Sequence, residues 1–189
     1  NIIIKKKIKR VFFSIFDLDK RSSYKAVKIL KKENISASVG IFKKYGNFFY
    51  KSYFLKHTKK IPLIDAKIAI SKDYFTKNKN SKWITNKHSI KRVHLLRSKY
   101  DCIVTTSKSI NDDNSILNCR IKGLENLSPS IIIIDRNLNI KKNSKIFYLN
   151  KKNNIYLLTT SNNKKKEALL KERKVKVLKM KSMSSKEDF

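Results

Sequence analysis

Apolar residues fall in short, separated runs along this chain, and their period alternates between strand-like and helix-like. Val11 to Phe16 is an apolar, aromatic-rich run that predicts a strand, ended by Asp17-Leu18-Asp19. Ser22-Ser23 can cap the segment Tyr24 to Glu33, where Ala26, Val27, Ile29 and Leu30 form a helical apolar stripe. Asn34 suits the left-handed residue that closes such a helix, and Ile35 to Ile41 predicts a second short strand. Asn47 to Phe54 carries Phe48, Phe49, Tyr50, Tyr53 and Phe54 on a predicted helix leading into Lys59-Lys60-Ile61-Pro62.

Beyond Pro62 the alternation resumes. Leu63 to Ser71 predicts a strand, and Thr85 is a good N-cap for a helix from about Asn86 to Ser98. Tyr100 to Thr106 predicts a strand; Ile131 to Asp135 predicts another, nearly all β-branched and therefore central. Ile155 to Thr160 is a further strand, Lys164 to Glu172 a helix, and Val175 to Leu178 a last strand with an unpaired edge. Strands alternating with helices imply an α/β layer with a mostly parallel sheet flanked by helices.

Composition narrows the class. The 189 residues suit one domain of ordinary size, or a small piece plus a domain, and 40% hydrophobic residues suffice for a core. No apolar run approaches the roughly eighteen residues of a membrane span, and no signal-peptide core follows the first lysines. A formal net charge of +32 suggests nucleic acid at first sight. The lysines are scattered, however, from Lys5 to Lys7 through Lys59-Lys60 to Lys164 to Lys166, with Asn and Ile also abundant. That spread favours a codon bias toward A and T over a phosphate-tracking face. Cys102 and Cys119 form no CxxC pair, which excludes a cysteine zinc site or disulfide framework and implies a reducing cytoplasm. Each adjoins an apolar run and is expected to be a buried free thiol.

Four motifs carry the chemistry: Ser81-Lys82-Trp83-Ile84-Thr85, Val93-His94-Leu95-Leu96-Arg97, Asp101-Cys102-Ile103, and Asp113-Asn114-Ser115-Ile116-Leu117-Asn118-Cys119-Arg120. Their order and spacing resemble the reductase domain of the bifunctional riboflavin-biosynthesis deaminase-reductase family, whose pattern is S-x-W-I-T, v-H-x-l-R, D-A-I and D-(D/N)-P-x-L-T-x-R. The resemblance implies a dihydrofolate-reductase-like fold and NADPH-dependent reduction of the ribosyl group of 5-amino-6-(5-phosphoribosylamino)uracil to a ribityl chain. Such a reaction needs a protein that aligns and desolvates cofactor and substrate, with cations for the phosphate.

By the resemblance, Ala69, Trp83, Ser109 and Asp113 contact the cofactor, and Ser81, Arg97, Leu117 and Arg120 contact the substrate. Lys67-Ile68-Ala69-Ile70-Ser71-Lys72-Asp73 resembles K-x-A-x-S-L-D-G, with Tyr74 where the family has Gly. Thr105-Thr106-Ser107-Lys108 replaces a common V-G-x-G, and its small hydroxylated residues can still receive a phosphate. Arg136 falls where the family has Ser or Thr near the adenosine, and it could pair with a 2′-phosphate. The guanidinium forks of Arg97 and Arg120 suit phosphate better than lysine would. His94 reads as a packed helix residue, no proton donor is assigned, and no metal site is expected.

The first part of the chain resembles the end of the family's cytidine-deaminase-like domain: a valine-rich strand, a helix, then G-I-x-V-x-x-G, outlined here by Asn34-Ile35 and Gly40. The expected division is a strand–helix–strand deaminase remnant with a connecting helix over 1–58, and a reductase domain over 59–189. Zinc would belong only to deaminase motifs upstream of Asn1, and a glycine-rich closing segment is expected beyond Phe189. The 189 residues are therefore expected to be a fragment, inactive alone. A homodimer is compatible with this reading. The rivals are a basic RNA-binding module and another reductase of the same fold.

Overall fold

The computed structural model describes residues 2–19, 21–76, 84–149 and 153–183. The chain forms two compact units, Asn1–Ile68 and Ala69–Phe189. This division falls ten residues or so beyond the domain join expected at 58/59.

The first unit begins with helix α1 (Ile2–Lys5), strand β1 (Arg10–Phe13), helix α2 (Lys25–Lys32) and strand β2 (Ser36–Val39). β1 and β2 pair in parallel, Arg10 opposite Ser36 and Phe13 opposite Val39. This is the anticipated strand–helix–strand, with shorter strands. Leu30 on α2 is buried, and Asn34 closes the helix with φ 53°. The cap differs from expectation: Tyr24 is the N-cap, left-handed at φ 60°, and offers no side-chain cap. Ser22 donates its hydroxyl instead to Asp17 Oδ2 at 2.5 Å, in a turn where the Tyr53 hydroxyl donates to Asp17 Oδ1 at 2.6 Å. These donors hold the Asp17 carboxyl down at about 2, led by the Asp19 backbone N–H. The aromatic segment is two helices, α3 (Lys43–Phe49) and α4 (Lys51–Lys59), meeting at Tyr50. Phe48 and Phe49 are 78% and 77% exposed, whereas Tyr53 and Phe54 are half-buried.

The second unit holds helix α5 (Lys87–Arg97), strand β3 (Cys102–Thr106), helix α6 (Ser107–Asp113), strand β4 (Ser130–Ile134), helix α7 (Ile146–Leu149), strand β5 (Ile155–Thr159), helix α8 (Lys164–Glu172) and strand β6 (Val175–Lys179). A 3-10 turn at Glu125–Leu127 precedes β4. The sheet order is β3-β4-β5-β6, with every pair parallel. β4 is paired on both edges, as its run of isoleucines predicted, and Ile131 and Ile133 are fully buried. Ile110, Ile140, Ile146 and Leu157 close the core around them. Together with the parallel strands and flanking helices, this is the α/β fold read from the sequence, a dihydrofolate-reductase-like sheet.

Three expectations need correction. Leu63 to Ser71 forms no strand: Ile64 and Ile68 are 82% and 71% exposed, and an extended segment becomes a strand only with a ladder neighbour. Thr85 does not cap α5; Asn86 does, its Oδ1 accepting from Ser89 N at 2.9 Å, because Asn at that position reaches the third amide. Cys102 is only half-buried, because β3 is an edge strand among the described residues and leaves Val104 62% exposed, whereas Cys119 is buried in a loop. Thr105 and Thr106 end β3, and helix α6 follows directly, capped by Thr106, whose Oγ1 accepts from Ser109 N at 3.2 Å.

Candidate functional site

The loop from Asn114 to Arg120 is shaped residue by residue. Asn114 ends α6 in the left-handed region at φ 47°, and Leu117 repeats that conformation at φ 61°. Asn114 Oδ1 accepts from Lys145 N at 2.9 Å, and Leu117 packs against the core. Farther on, Cys119 N donates to Ser128 Oγ at 2.9 Å. These ties fix where Asn118 and Arg120 meet the last turn of α5.

At that meeting point His94 is buried at 7% exposure. Its Nδ1 lies 3.1 Å from Asn118 O and 3.2 Å from Arg120 N. Its Nε2 faces the Arg120 guanidinium, with Nη2 at 3.1 Å and Nε at 3.3 Å. Arg97, one turn after His94, donates from Nη1 to Asn118 O at 2.9 Å. Two guanidiniums are thus gathered around one imidazole and one carbonyl. Burial pushes the His94 pKa below its ordinary 6.5, and the charges of Arg97 and then Arg120 push it further the same way. Burial also lowers the Arg97 pKa, followed by the effect of Arg120. The named partners of both arginines are neutral. Asn118 Oδ1, buried beside them, has no partner among the described residues. Like charges held together on neutral acceptors, each a planar fork, can receive an anion that presents paired oxygens.

The other site residues fall as follows. Ser109 and Asp113 lie on α6, which follows directly from the carboxyl end of β3, where α/β sheets receive ligands. Both are exposed, and the Ser109 hydroxyl stands 3.1 Å from that of Thr106. Arg136 follows β4; its side chain is directed to the carbonyl of Met183, and its own carbonyl accepts from Thr159 Oγ1 at 2.8 Å. Asp135, beside it, is buried and satisfied by Asn139 N and Ile140 N, both at 2.8 Å. Ala69 lies in no regular element and is half-buried. Ser81 and Trp83 lie outside the described residues. The structure therefore joins Arg97 to Arg120 and places Ser109 and Asp113 on one helix.

Tyr74, which stands where glycine was expected, adopts φ 65° in a turn closed by Ser71 N to Phe75 O at 2.9 Å. The turn keeps a glycine-like backbone without glycine. His94 is packed on α5 as expected, but its place between the two arginines is more than the motif conveys. Its signal was the spacing of three to Arg97, which puts both on one helix face.

Comparison with known proteins finds relatives of this chain. A family model described as the RibD C-terminal domain matches residues 62–186. The riboflavin biosynthesis protein RibD of Buchnera aphidicola is 34% identical over 142 residues, 74% of this chain and 36% of that protein. RibD of Aquifex aeolicus is 30% identical over 186 residues, 97% of this chain and 51% of that protein. The chain thus spans between about a third and a half of these relatives' length. Among solved structures, a Thermotoga maritima diaminohydroxyphosphoribosylaminopyrimidine deaminase/5-amino-6-(5-phosphoribosylamino)uracil reductase superposes with a TM-score of 0.73 at 24% identity, over 94% of this chain and 55% of that one. Acinetobacter baumannii RibD superposes with a TM-score of 0.71 at 20% identity, over 96% and 51%. At these identities the superpositions speak for the fold.

Proposed function

This chain belongs to the RibD C-terminal domain family, and from that premise we propose that it carries the NADPH-dependent reductase step of riboflavin biosynthesis, on 5-amino-6-(5-phosphoribosylamino)uracil. The observation that supports this most is the pair of guanidiniums, Arg97 and Arg120, set around His94 within hydrogen-bond reach of one imidazole and one carbonyl. A substrate phosphate supplies the negative charge that this arrangement lacks. Ser81 and Leu117 complete the substrate side in this reading.

The donor set on the cofactor side fits a dinucleotide. The Ser109 hydroxyl and Asp113 carboxylate are exposed on the helix that follows β3, where one can donate to a phosphate and the other can accept from a ribose hydroxyl. Ala69, Trp83 and Arg136 join them, the last at the adenosine end. When bound, NADPH supplies the hydride. The chain's residues bind and orient the two partners and keep water from the reacting carbon. The division into a deaminase-like remnant over 1–58 and a reductase domain over 59–189 belongs to the same proposal, with zinc confined to deaminase motifs outside this chain. A cytoplasmic location belongs to the same proposal, on the unpaired cysteines Cys102 and Cys119; no described helix is long and apolar enough to cross a membrane.

The exposed rings of Phe42, Tyr45, Phe48 and Phe49, interleaved with Lys43 and Lys44, favour one second reading, single-stranded nucleic acid stacking on aromatics. A single experiment separates the two. The full-length gene product is assayed for NADPH oxidation with the aminouracil phosphate, with a pterin, and by titration with single-stranded RNA. Oxidation with the aminouracil phosphate alone is expected. Salt-sensitive RNA binding with no NADPH oxidation would transfer the chain to the nucleic-acid class, and turnover of the pterin to another reductase of the fold.

A further inference from the structure

The imidazole of His94 cannot satisfy all its neighbours at once, and its surroundings choose between the alternatives. Four donors approach it: the guanidinium Nε and Nη2 of Arg120 at Nε2, and Arg120 N and, at 3.5 Å, Arg97 Nη1 at Nδ1. One acceptor approaches it, Asn118 O at Nδ1. With the proton on Nε2, an N–H would point into a permanently charged guanidinium while the Nδ1 lone pair faced the Asn118 carbonyl. With the proton on Nδ1, the ring donates to Asn118 O and accepts from Arg120 at Nε2; the cost is two donors left facing an N–H, the Arg120 amide and the longer approach of Arg97 Nη1, which keeps its bond to Asn118 O. The bond to a charged donor is the stronger one, so it decides the tautomer. A doubly protonated ring would set a third cation between two others with one acceptor for all.

We propose that His94 is a positioning residue, a neutral Nδ1–H imidazole whose Nε2 holds the Arg120 guanidinium and whose Nδ1–H shares the Asn118 carbonyl with Arg97, fixing both arginines as one anion seat. The proposal rests on the reading that these arginines receive a phosphate. His94 itself touches no ligand. Its effect runs through the Arg120 fork, which is otherwise exposed and free to sample many rotamers. The carbonyl of Asn118 couples the two guanidiniums, so loss of the ring would loosen both.

The test uses the full-length gene product and its His94→Leu and His94→Gln variants, with inorganic phosphate as the probe. Glutamine offers a side-chain oxygen to Arg120 and leucine offers none. Ring nitrogen shifts of His94 in the wild type should report a proton on Nδ1 and a bare Nε2. Phosphate affinity should fall about tenfold in His94→Leu, the equivalent of one hydrogen bond, and recover most of that in His94→Gln. NADPH affinity should hold in both variants, and a folded near-ultraviolet spectrum guards against simple loss of structure. A proton on Nε2 overturns the proposal whatever phosphate does. Equal phosphate affinity in wild type and His94→Leu overturns it while leaving the arginine reading in place. No phosphate binding by the wild type overturns both.

Discussion

Replacing each arginine by lysine separates two roles that a motif cannot distinguish. Arg97 lies among partly buried groups, and its Nη1 donates to Asn118 O at 2.9 Å. Lysine keeps the charge but is a compact, strongly hydrated ammonium that resists burial and lacks the fork. Loss of a hydrogen bond from a charged group costs about 1.5–3 kcal/mol. For a protein of this size that corresponds to a fall of roughly 3–12 °C in Tm. Arg120 is exposed, and among the described residues its guanidinium bonds the ring of His94, so Arg120→Lys should destabilise less than Arg97→Lys, by about 0.5–1.5 kcal/mol. Both variants should raise the apparent substrate constant by about tenfold to a hundredfold, since each removes one charge-assisted contact to the phosphate. NADPH affinity should stay nearly intact in both. Thermal unfolding and steady-state kinetics of the full-length gene product measure all three quantities. Equal destabilisation by the two variants would refute the structural distinction. Unchanged substrate constants in both would remove the arginines from the site.

Other perturbations test the fold and its charges. Burial, and then the charges of Arg97 and Arg120, lower the His94 pKa below its ordinary 6.5, so the unfolded chain binds its proton first as pH falls. Its contribution to stability is full above 6.5 and declines as pH falls through the depressed value; Tm against pH should show an acid loss that His94→Gln diminishes. Asn86→Ala should cost about 1 kcal/mol by removing the α5 cap, while Thr85→Ala should cost little, as urea unfolding would show. Ile133→Ala, at a fully buried position of the central strand, should cost about 2–5 kcal/mol in the same measurement. Tyr74→Gly should stabilise by about 0.5–1 kcal/mol, because the left-handed backbone no longer opposes a Cβ; a loss of stability would mean that the ring makes a contact worth more than this strain.

Legibility in the sequence tracked how local each signal was. Lys164 to Glu172 kept its predicted bounds as α8, and the β-branched run at Ile131 marked the central strand, because periodicity and branching act within a few residues. Leu63 to Ser71 alternated just as plainly yet formed no strand, since pairing depends on a neighbour that pattern cannot supply. The same limit applies at the candidate site. Arg97 and Arg120 were legible as motif positions, but their convergence on His94 was not. It arises from two left-handed residues, Asn114 and Leu117, and from the bond of Cys119 N to Ser128, none of which has a periodic signature. His94 was legible as a packed helix residue and is buried as such, but which groups its ring meets depends on the loop that covers it.

The order β3-β4-β5-β6 also has a consequence in time. Each strand pairs with the strand that leaves the ribosome next, separated only by its own crossover segment. No described strand of this sheet must wait for one made much later, which keeps contact order low for a parallel architecture. The sheet can therefore lengthen by one strand at a time during synthesis, with Ile131 and Ile133 sealed once β5 arrives. At every stage two edges are bare among the described strands, the outer edge of β3 and the growing edge, first of β4 and then of β5, and chaperone demand should be greatest in those intervals.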